Sequence, residues 1–377
     1  MEVSSATSIG LIVKATRSCN LRCTYCGDWR PGSGNTMSFE VLARLICVAL
    51  AEPRHHAVRF SWHGGEPTLL PRDYFRKAMA LQHRFRRPGQ WVTNSIMTNA
   101  TRVTAEWAEF LRENEFTVGV SLDGPPEIHD RYRVDAAGRP TYQRAAQGMQ
   151  MLRDHQVDFA VTVVLDEAGY AFGPDKLFDF LVGEGITNFG INFVVPKIGL
   201  PPEQARHHYI DPQRRSRYLI GLYQRWKEYG DCTIRIRDLD ALRRRTSGHQ
   251  AGPCTLSGSC WGGMYTIEPN GDVCHCDFFF PDQTYVWGNV MHDSFDEIRS
   301  GAALTAALTR HEPARSAKSQ CAEFSVCNGG CPHEYLMSER LNPHHDAGCC
   351  GLRELIGMIR SDGKTEPVLL PEPRVIG

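Results

Sequence analysis

From Ser8 to about Tyr229 short β-rich runs alternate with helical patterns, and this alternation limits the possible folds more than any other feature. Strands are expected at Ile9–Lys14, Val58–Trp62, Trp91–Met97, Thr117–Leu122, Phe159–Leu165 and Phe189–Val195. Helices are expected at Phe39–Ala51, Arg72–Phe85, Ala105–Glu113, Tyr142–His155, Lys176–Gly183 and Pro212–Tyr229. Such alternation builds βαβ units on a parallel sheet. Their crossovers are right-handed, so the units curl into an open or closed barrel. The expected class is α/β. Ligands in such folds gather at the C-terminal strand ends.

After about Asp231 Gly and Cys become frequent and helices are expected to shorten. A hairpin is expected at Met264–Cys276, with Glu268-Pro269-Asn270-Gly271-Asp272 as its turn. The expected organisation is a barrel over 1–230, a cysteine-rich domain over 231–360 and a tail over 361–377. The chain has 377 residues and a formal net charge of -1, so no global field points to nucleic acid or anionic lipid. No apolar run is long enough to span a bilayer and no secretion signal is evident, so the cytoplasm is the expected compartment.

There the 14 cysteines read as metal or redox groups in place of disulfides. Three lie near the start and nine between Cys254 and Cys350; the isolated Cys47 and Cys232 read as packed core thiols. Cys19-Asn-Leu-Arg-Cys23-Thr-Tyr-Cys26 spaces three thiols as C-x3-C-x2-C just after the first strand. Three thiolates can ligate three irons of a cubane and leave the fourth open, whereas electron-carrying clusters usually take four. A zinc site is the competing reading, but structural zinc prefers four ligands, and Gly27-Asp28-Trp29 offers no convincing fourth.

Further motifs fall at successive strand ends. Trp62-His63-Gly64-Gly65-Glu66-Pro67 follows the second, Thr98-Asn99 the third, and Val120-Ser121-Leu122-Asp123-Gly124 the fourth. In this order the set resembles the radical S-adenosylmethionine (SAM) enzymes. The resemblance implies a partial (β/α)6 radical SAM barrel. It implies a [4Fe–4S] cluster on Cys19, Cys23 and Cys26, with SAM held through Gly64, Gly65, Glu66, Thr98, Asn99 and Ser121. In the family the reduced cluster cleaves SAM to methionine and a 5′-deoxyadenosyl radical, which takes a hydrogen atom from substrate. An external reductant such as flavodoxin or ferredoxin is implied.

The later cysteines resemble a SPASM domain, which holds auxiliary iron–sulfur clusters. By that resemblance Cys254, Cys260, Cys276 and Cys331 ligate the first auxiliary cluster, and Cys321, Cys327 and Cys349 the second. The family's C-x2-C-x5-C-x3-C run has Lys318 at its first position here. Lysine is protonated at neutral pH and a poor iron ligand. Cys350 or Cys274 could substitute, the fourth iron could be open, or the cluster could be absent.

Within SPASM enzymes two reactions compete. One is maturation of a ribosomal precursor peptide by a cyclophane-type cross-link from an aromatic ring to a Cβ. The other is anaerobic sulfatase maturation, turning Ser or Cys into formylglycine. Ser121-Leu122-Asp123-Gly124-Pro125, Ile128-His129-Asp130, Tyr132-Arg133 and Cys276-Asp277 resemble the sulfatase maturases, where the Asp is the proposed base. Asp277 is therefore the candidate catalytic base; a turn carboxylate is the alternative. Met97-Thr98-Asn99-Ala100, Gly27-Asp28-Trp29, Val286-Trp287-Gly288-Asn289-Val290 and Lys318 depart toward the cross-linking enzymes, whose reading is preferred at this point. The substrate is then a precursor peptide, recognised with a separate protein or in a cleft between barrel and SPASM domain. An electron carrier without catalysis would need the clusters but not the glycines, Glu66 and Ser121 in register.

Overall fold

The run Ile9–Ala15 is apolar except for Gly10 and Lys14, and it forms the buried strand β1 (Ser8–Thr16) of the computed structural model. The structure describes residues 7–26, 35–196, 198–206, 209–250, 252–258, 260–279 and 282–365. The other strands are β2 (Ala57–Gly64), β3 (Trp91–Thr98), β4 (Thr117–Ser121), β5 (Phe159–Leu165), β6 (Asn188–Phe193), β7 (Arg235–Ile236), β8 (Met264–Ile267), β9 (Asp272–Cys274) and β10 (Val286–Asn289). The six strands expected from the sequence are all present, and their ends agree within two residues.

The chain divides into two compact units, interleaved along the sequence. One holds residues 1–121, 129–159 and 261–309; the other holds 122–128, 160–260 and 310–377. In the first unit the strand order is β10-β9-β8-β1-β2-β3-β4. Strands β1 to β4 pair in parallel, as βα crossovers require. The expected hairpin forms as β8 and β9, closed by Glu268 N–H to Asp272 O at 2.9 Å. It does not stand apart from the parallel strands: β8 pairs in parallel with β1, Gly10 opposite Met264 through Val13 opposite Ile267.

The helix Phe39–Ala51 is capped by Ser38, whose side chain accepts from Val41 N–H, and it buries Leu42, Leu45, Ile46, Ala49 and Leu50. Aromatic rings fill the space beside β2: Trp62 meets Phe75 at 5.4 Å between centroids, and Phe75 meets Trp107 at 5.6 Å. The Trp62 indole N–H reaches Asn94 Oδ1 at 2.9 Å, so its polar edge is satisfied.

In the second unit β5, β6 and β7 pair in parallel. The helix Pro212–Tyr229 starts with Asp211 as cap and proline at its first turn, and ends on Gly230 in the left-handed conformation. The expectation of short helices beyond residue 231 fails at Ala302–Ser319, an 18-residue helix with Pro313 inside it. Proline reads as a breaker, but this helix tolerates the one backbone bond it removes. A second helix, Arg353–Thr365, runs past residue 361, where the tail was expected to begin. Cys47 is half-buried, whereas Cys232 is exposed and is not the core thiol it was read as. No described helix is long and apolar enough to cross a membrane.

Candidate active site

The strand β1 runs directly into the segment carrying Cys19, Cys23 and Cys26, all half-buried in the first unit. This segment is clipped to residues 132–135: Arg22 N–H donates to Val134 O at 2.7 Å, and Thr24 N–H to Tyr132 O at 3.1 Å. The Arg22 guanidinium donates to Cys19 O and Leu21 O, both at 2.7 Å, which pins the turn between the first two thiols. Leu21 N–H points at Cys19 Sγ at 3.3 Å, and Arg133 Nη1 lies 4.0 Å from Cys23 Sγ. Donors aimed at sulfur suit a thiolate ligand set and tune a cluster's potential. Burial pushes the free Cys19 thiol up to about 12, so ligation there must displace a proton. These residues fit an iron–sulfur cluster. Gly27, Asp28 and Trp29 lie outside the described residues.

Gly64 ends β2 and Gly65 follows it, where two backbone segments nearly touch. A Cβ on Gly65 would stand 1.9 Å from Ser18 O, and one on Gly64 2.1 Å from Thr16 O. Only glycine allows Gly65 N–H to reach Thr16 O at 2.7 Å and Glu66 N–H to reach Ser18 O at 2.9 Å. Glu66 is buried. Its Oε1 accepts from Thr68 N–H at 3.0 Å, Thr68 Oγ1 at 2.7 Å and Thr98 Oγ1 at 2.8 Å, and its Oε2 accepts from Asn99 N–H at 2.7 Å. Burial raises its carboxyl, and these four donors oppose the rise. Glu66 thus welds the end of β2 to the end of β3. Asn99 extends the weld: its Nδ2 donates to Asn20 Oδ1 at 3.0 Å and lies 3.9 Å from Cys19 Sγ. Thr98 and Asn99, expected to bind SAM, spend these groups on Glu66 and the cysteine segment. Ser121 ends β4 and is half-buried.

Lys14 is a fully buried cation on β1. Its Nζ donates to Asp277 Oδ2 at 2.5 Å and faces His63 Nδ1 at 3.2 Å. Gly64 N–H also donates to His63 Nδ1, at 2.8 Å, so the neutral imidazole carries its proton on Nε2. Arg17 grips Glu268 with Nε to Oε2 at 3.0 Å and with Nη2 to Oε1, and its Nη2 lies 4.0 Å from Asp277 Oδ1. The half-buried Asp277 therefore sits between two cations carried by β1 and its extension. Its Oδ1 has no hydrogen-bond partner among the described residues.

Cys276 lies in the first unit; Cys254, Cys260, Cys331, Cys321, Cys327 and Cys349 lie in the second. Within the second unit Asn328 Nδ2 donates to Leu256 O at 2.7 Å, tying the Cys254–Cys260 stretch to the turn that carries Cys327 and Cys331. Sulfur-directed donors recur: Gly329 N–H to Cys327 at 3.4 Å, Gly351 N–H to Cys349 at 3.4 Å, and Arg353 Nη2 to Cys321 at 3.6 Å. This donor set fits thiolate ligands of an iron–sulfur cluster as well.

Sequence reasoning missed Lys14, Arg17, Asn20 and Thr68, and named Arg133 only within a resemblance and Glu268 only as a turn residue. Lys14 and Arg17 left a signal, since charges close an otherwise apolar strand run and buried charges need partners. Their partners sit 263 and 251 residues away, beyond the reach of any local pattern.

Two family models match the chain: the radical SAM superfamily over residues 13–168, and an iron–sulfur cluster-binding domain, SPASM, over residues 259–332. A serine-type anaerobic sulfatase-maturating enzyme from Bacteroides thetaiotaomicron is 30% identical over 338 residues, covering 83% of this chain and 80% of its own. A cysteine-type enzyme from Clostridium perfringens is 30% identical over 341 residues, covering 85% and 88%. The solved structure of native anSMEcpe with bound AdoMet matches with TM-score 0.80 at 24% identity, over 95% of this chain and 99% of that one. Streptococcus suis SuiB bound to precursor peptide SuiA matches with TM-score 0.61 at 16% identity, over 91% and 76%.

Proposed function

Because the chain belongs to the anaerobic sulfatase-maturase family of radical SAM enzymes with a SPASM domain, we propose that it oxidises the Cβ of a serine or cysteine side chain in a peptide or protein to a formylglycine aldehyde. This places sulfatase-maturase-like chemistry ahead of the cross-link favoured by the sequence alone. When bound, the cluster and SAM supply one-electron removal of a hydrogen atom from substrate, and an auxiliary cluster supplies an acceptor for the second electron.

The observation that carries the reading is the Lys14–Asp277 pair. Lys14 Nζ holds Oδ2 of Asp277 at 2.5 Å, which leaves Oδ1 to receive the substrate hydroxyl or thiol proton. The carboxylate is anchored to β1, the strand that leads into Cys19, Cys23 and Cys26. Gly64, Gly65, Glu66, Thr98, Asn99 and Ser121 are the proposed SAM site. In it Glu66 is a positioning residue for the strand ends, since both its oxygens are occupied by protein donors. A reductant of the flavodoxin or ferredoxin class is the proposed electron source.

One observation favours the second reading, a cyclophane-type cross-link in a precursor peptide: Lys318 replaces a cysteine of the maturase run. Both readings begin with hydrogen removal at Cβ and take two electrons in total. Anaerobic co-expression with a sulfatase-derived peptide, or with a small peptide encoded beside the gene, separates them by tandem mass spectrometry. A linear product that reacts with hydrazines is expected for formylglycine. A product two hydrogens lighter, with fragmentation suppressed across a few residues and no aldehyde reactivity, would replace this reading with the cross-link.

A further inference from the structure

The lysine that interrupts the family's cysteine run sits among thiols. Lys318 is buried at the end of the helix Ala302–Ser319. Its Nζ donates to Gly329 O at 2.6 Å and lies 4.5 Å from the centroid of the Tyr335 ring. An ammonium that donates to a carbonyl and faces a π-system has no lone pair for iron. Lys318 therefore stands as a hydrogen-bond donor beside Cys331 and Cys350, which line the same recess.

Cys350 lies where a missing ligand is needed. Adjacent residues in an extended chain point to opposite sides. Here Cys349 and Cys350 instead line one recess, and Gly351 at φ +91° turns the chain just past them. The turn after Cys327 passes close to the same place: a Cβ on Gly330 would stand 2.9 Å from Cys350 Cβ. Cys331, Cys349, Cys350 and Lys318 line one small recess of the second unit. Cys274, the other spare thiol, is buried within β9 of the first unit.

We propose that Cys350 supplies the fourth thiolate of the second auxiliary cluster, with Cys321, Cys327 and Cys349, and that Lys318 stands beside that cluster as a charge partner and not as a ligand. The inference deepens the reading above, because it rests on the chain holding two auxiliary clusters. Four thiolates gather negative charge, and Lys318 with the Arg353 guanidinium, 3.6 Å from Cys321 Sγ, offsets it.

The test is iron content and Mössbauer spectroscopy of the anaerobically reconstituted full chain, which needs no substrate and is independent of any peptide product. Wild type is expected to hold about twelve irons, as three four-iron clusters. Cys350→Ala and Cys350→Ser are expected to lose between about one and four of them, as a cluster sheds a corner or is lost. Cys47→Ala and Lys318→Arg, which keeps the charge but not the amine, are expected to keep them all. Lys318→Cys in the Cys350→Ala background is expected to restore the missing iron, which separates ligand loss from misfolding. A Cys350→Ala protein with full iron and an unchanged spectrum overturns the assignment. So does loss of iron in Lys318→Arg, which would make the lysine a ligand, or a wild type with only about eight irons. Absence of peptide product from a protein carrying all its iron would count against the proposed function alone.

Discussion

Lys14 on β1 and Asp277, three residues beyond β9, are joined at 2.5 Å although 263 residues separate them in the chain. The pairing follows from β8 lying parallel to β1, which carries the hairpin and the residues after it alongside the strand that leads to Cys19. The same pairing aligns Glu268, just past β8, with Arg17, just past β1. The Asp277 carboxylate and the thiol motif are thus attached to one strand.

Asp277→Asn keeps the shape and removes the carboxylate proposed as proton acceptor. Peptide oxidation is expected to fall by about 10²-fold or more, while 5′-deoxyadenosine is still produced. Chromatographic measurement of both products under reducing, anaerobic conditions checks this. Undiminished peptide product would remove Asp277 from the reaction.

Lys14→Met takes away the cation that orients Asp277 Oδ2 and faces His63 Nδ1. Peptide oxidation is expected to drop by about tenfold, with partial recovery in Lys14→Arg, since a retained cation still orients the carboxylate. Undiminished peptide oxidation with lowered stability would reduce Lys14 to a packing role.

Glu66→Gln leaves an amide N–H₂ facing one of the donors that Glu66 now accepts. The buried mismatch is expected to cost about 1–3 kcal/mol in denaturant unfolding and to weaken SAM binding. Equilibrium unfolding and SAM titration of the two proteins, side by side, measure the two effects.

Much of this was legible from local pattern. The six parallel strands follow from runs of apolar residues between helical periods. The ends of β1, β2 and β3 carry motifs whose short spacing identifies them without a structure. Lys14, Arg17 and Glu268 were not legible, because a charge on a strand announces a need for a partner and not the partner's place. The Ala302–Ser319 helix was missed for another reason: its periodicity is interrupted by Pro313, and only packing decides that the helix continues.

His311 is buried, and desolvation, aided by the charges of Arg310 and Lys318, lowers its pKa to about 4. The unfolded chain takes up this proton near the ordinary value of 6.5, so it binds more protons than the folded chain between pH 6.5 and 4. Stability from this group is complete above pH 6.5 and is lost as pH falls through that window, by on the order of 2 kcal/mol. Denaturant unfolding at pH 7.5 and pH 5 is expected to show a smaller pH difference in His311→Gln than in wild type. Equal differences would assign the acid sensitivity elsewhere.

The central claim, hydrogen removal from Cβ of a peptide side chain, is tested most directly by isotope transfer. A substrate peptide deuterated at Cβ of its target serine or cysteine is incubated with reduced enzyme and SAM, and the 5′-deoxyadenosine is analysed by mass spectrometry. Deuterium in the 5′-deoxyadenosine, matched by its loss from the modified residue, is the expected result. Unlabelled 5′-deoxyadenosine alongside a modified peptide that keeps all its Cβ deuterium would contradict the account.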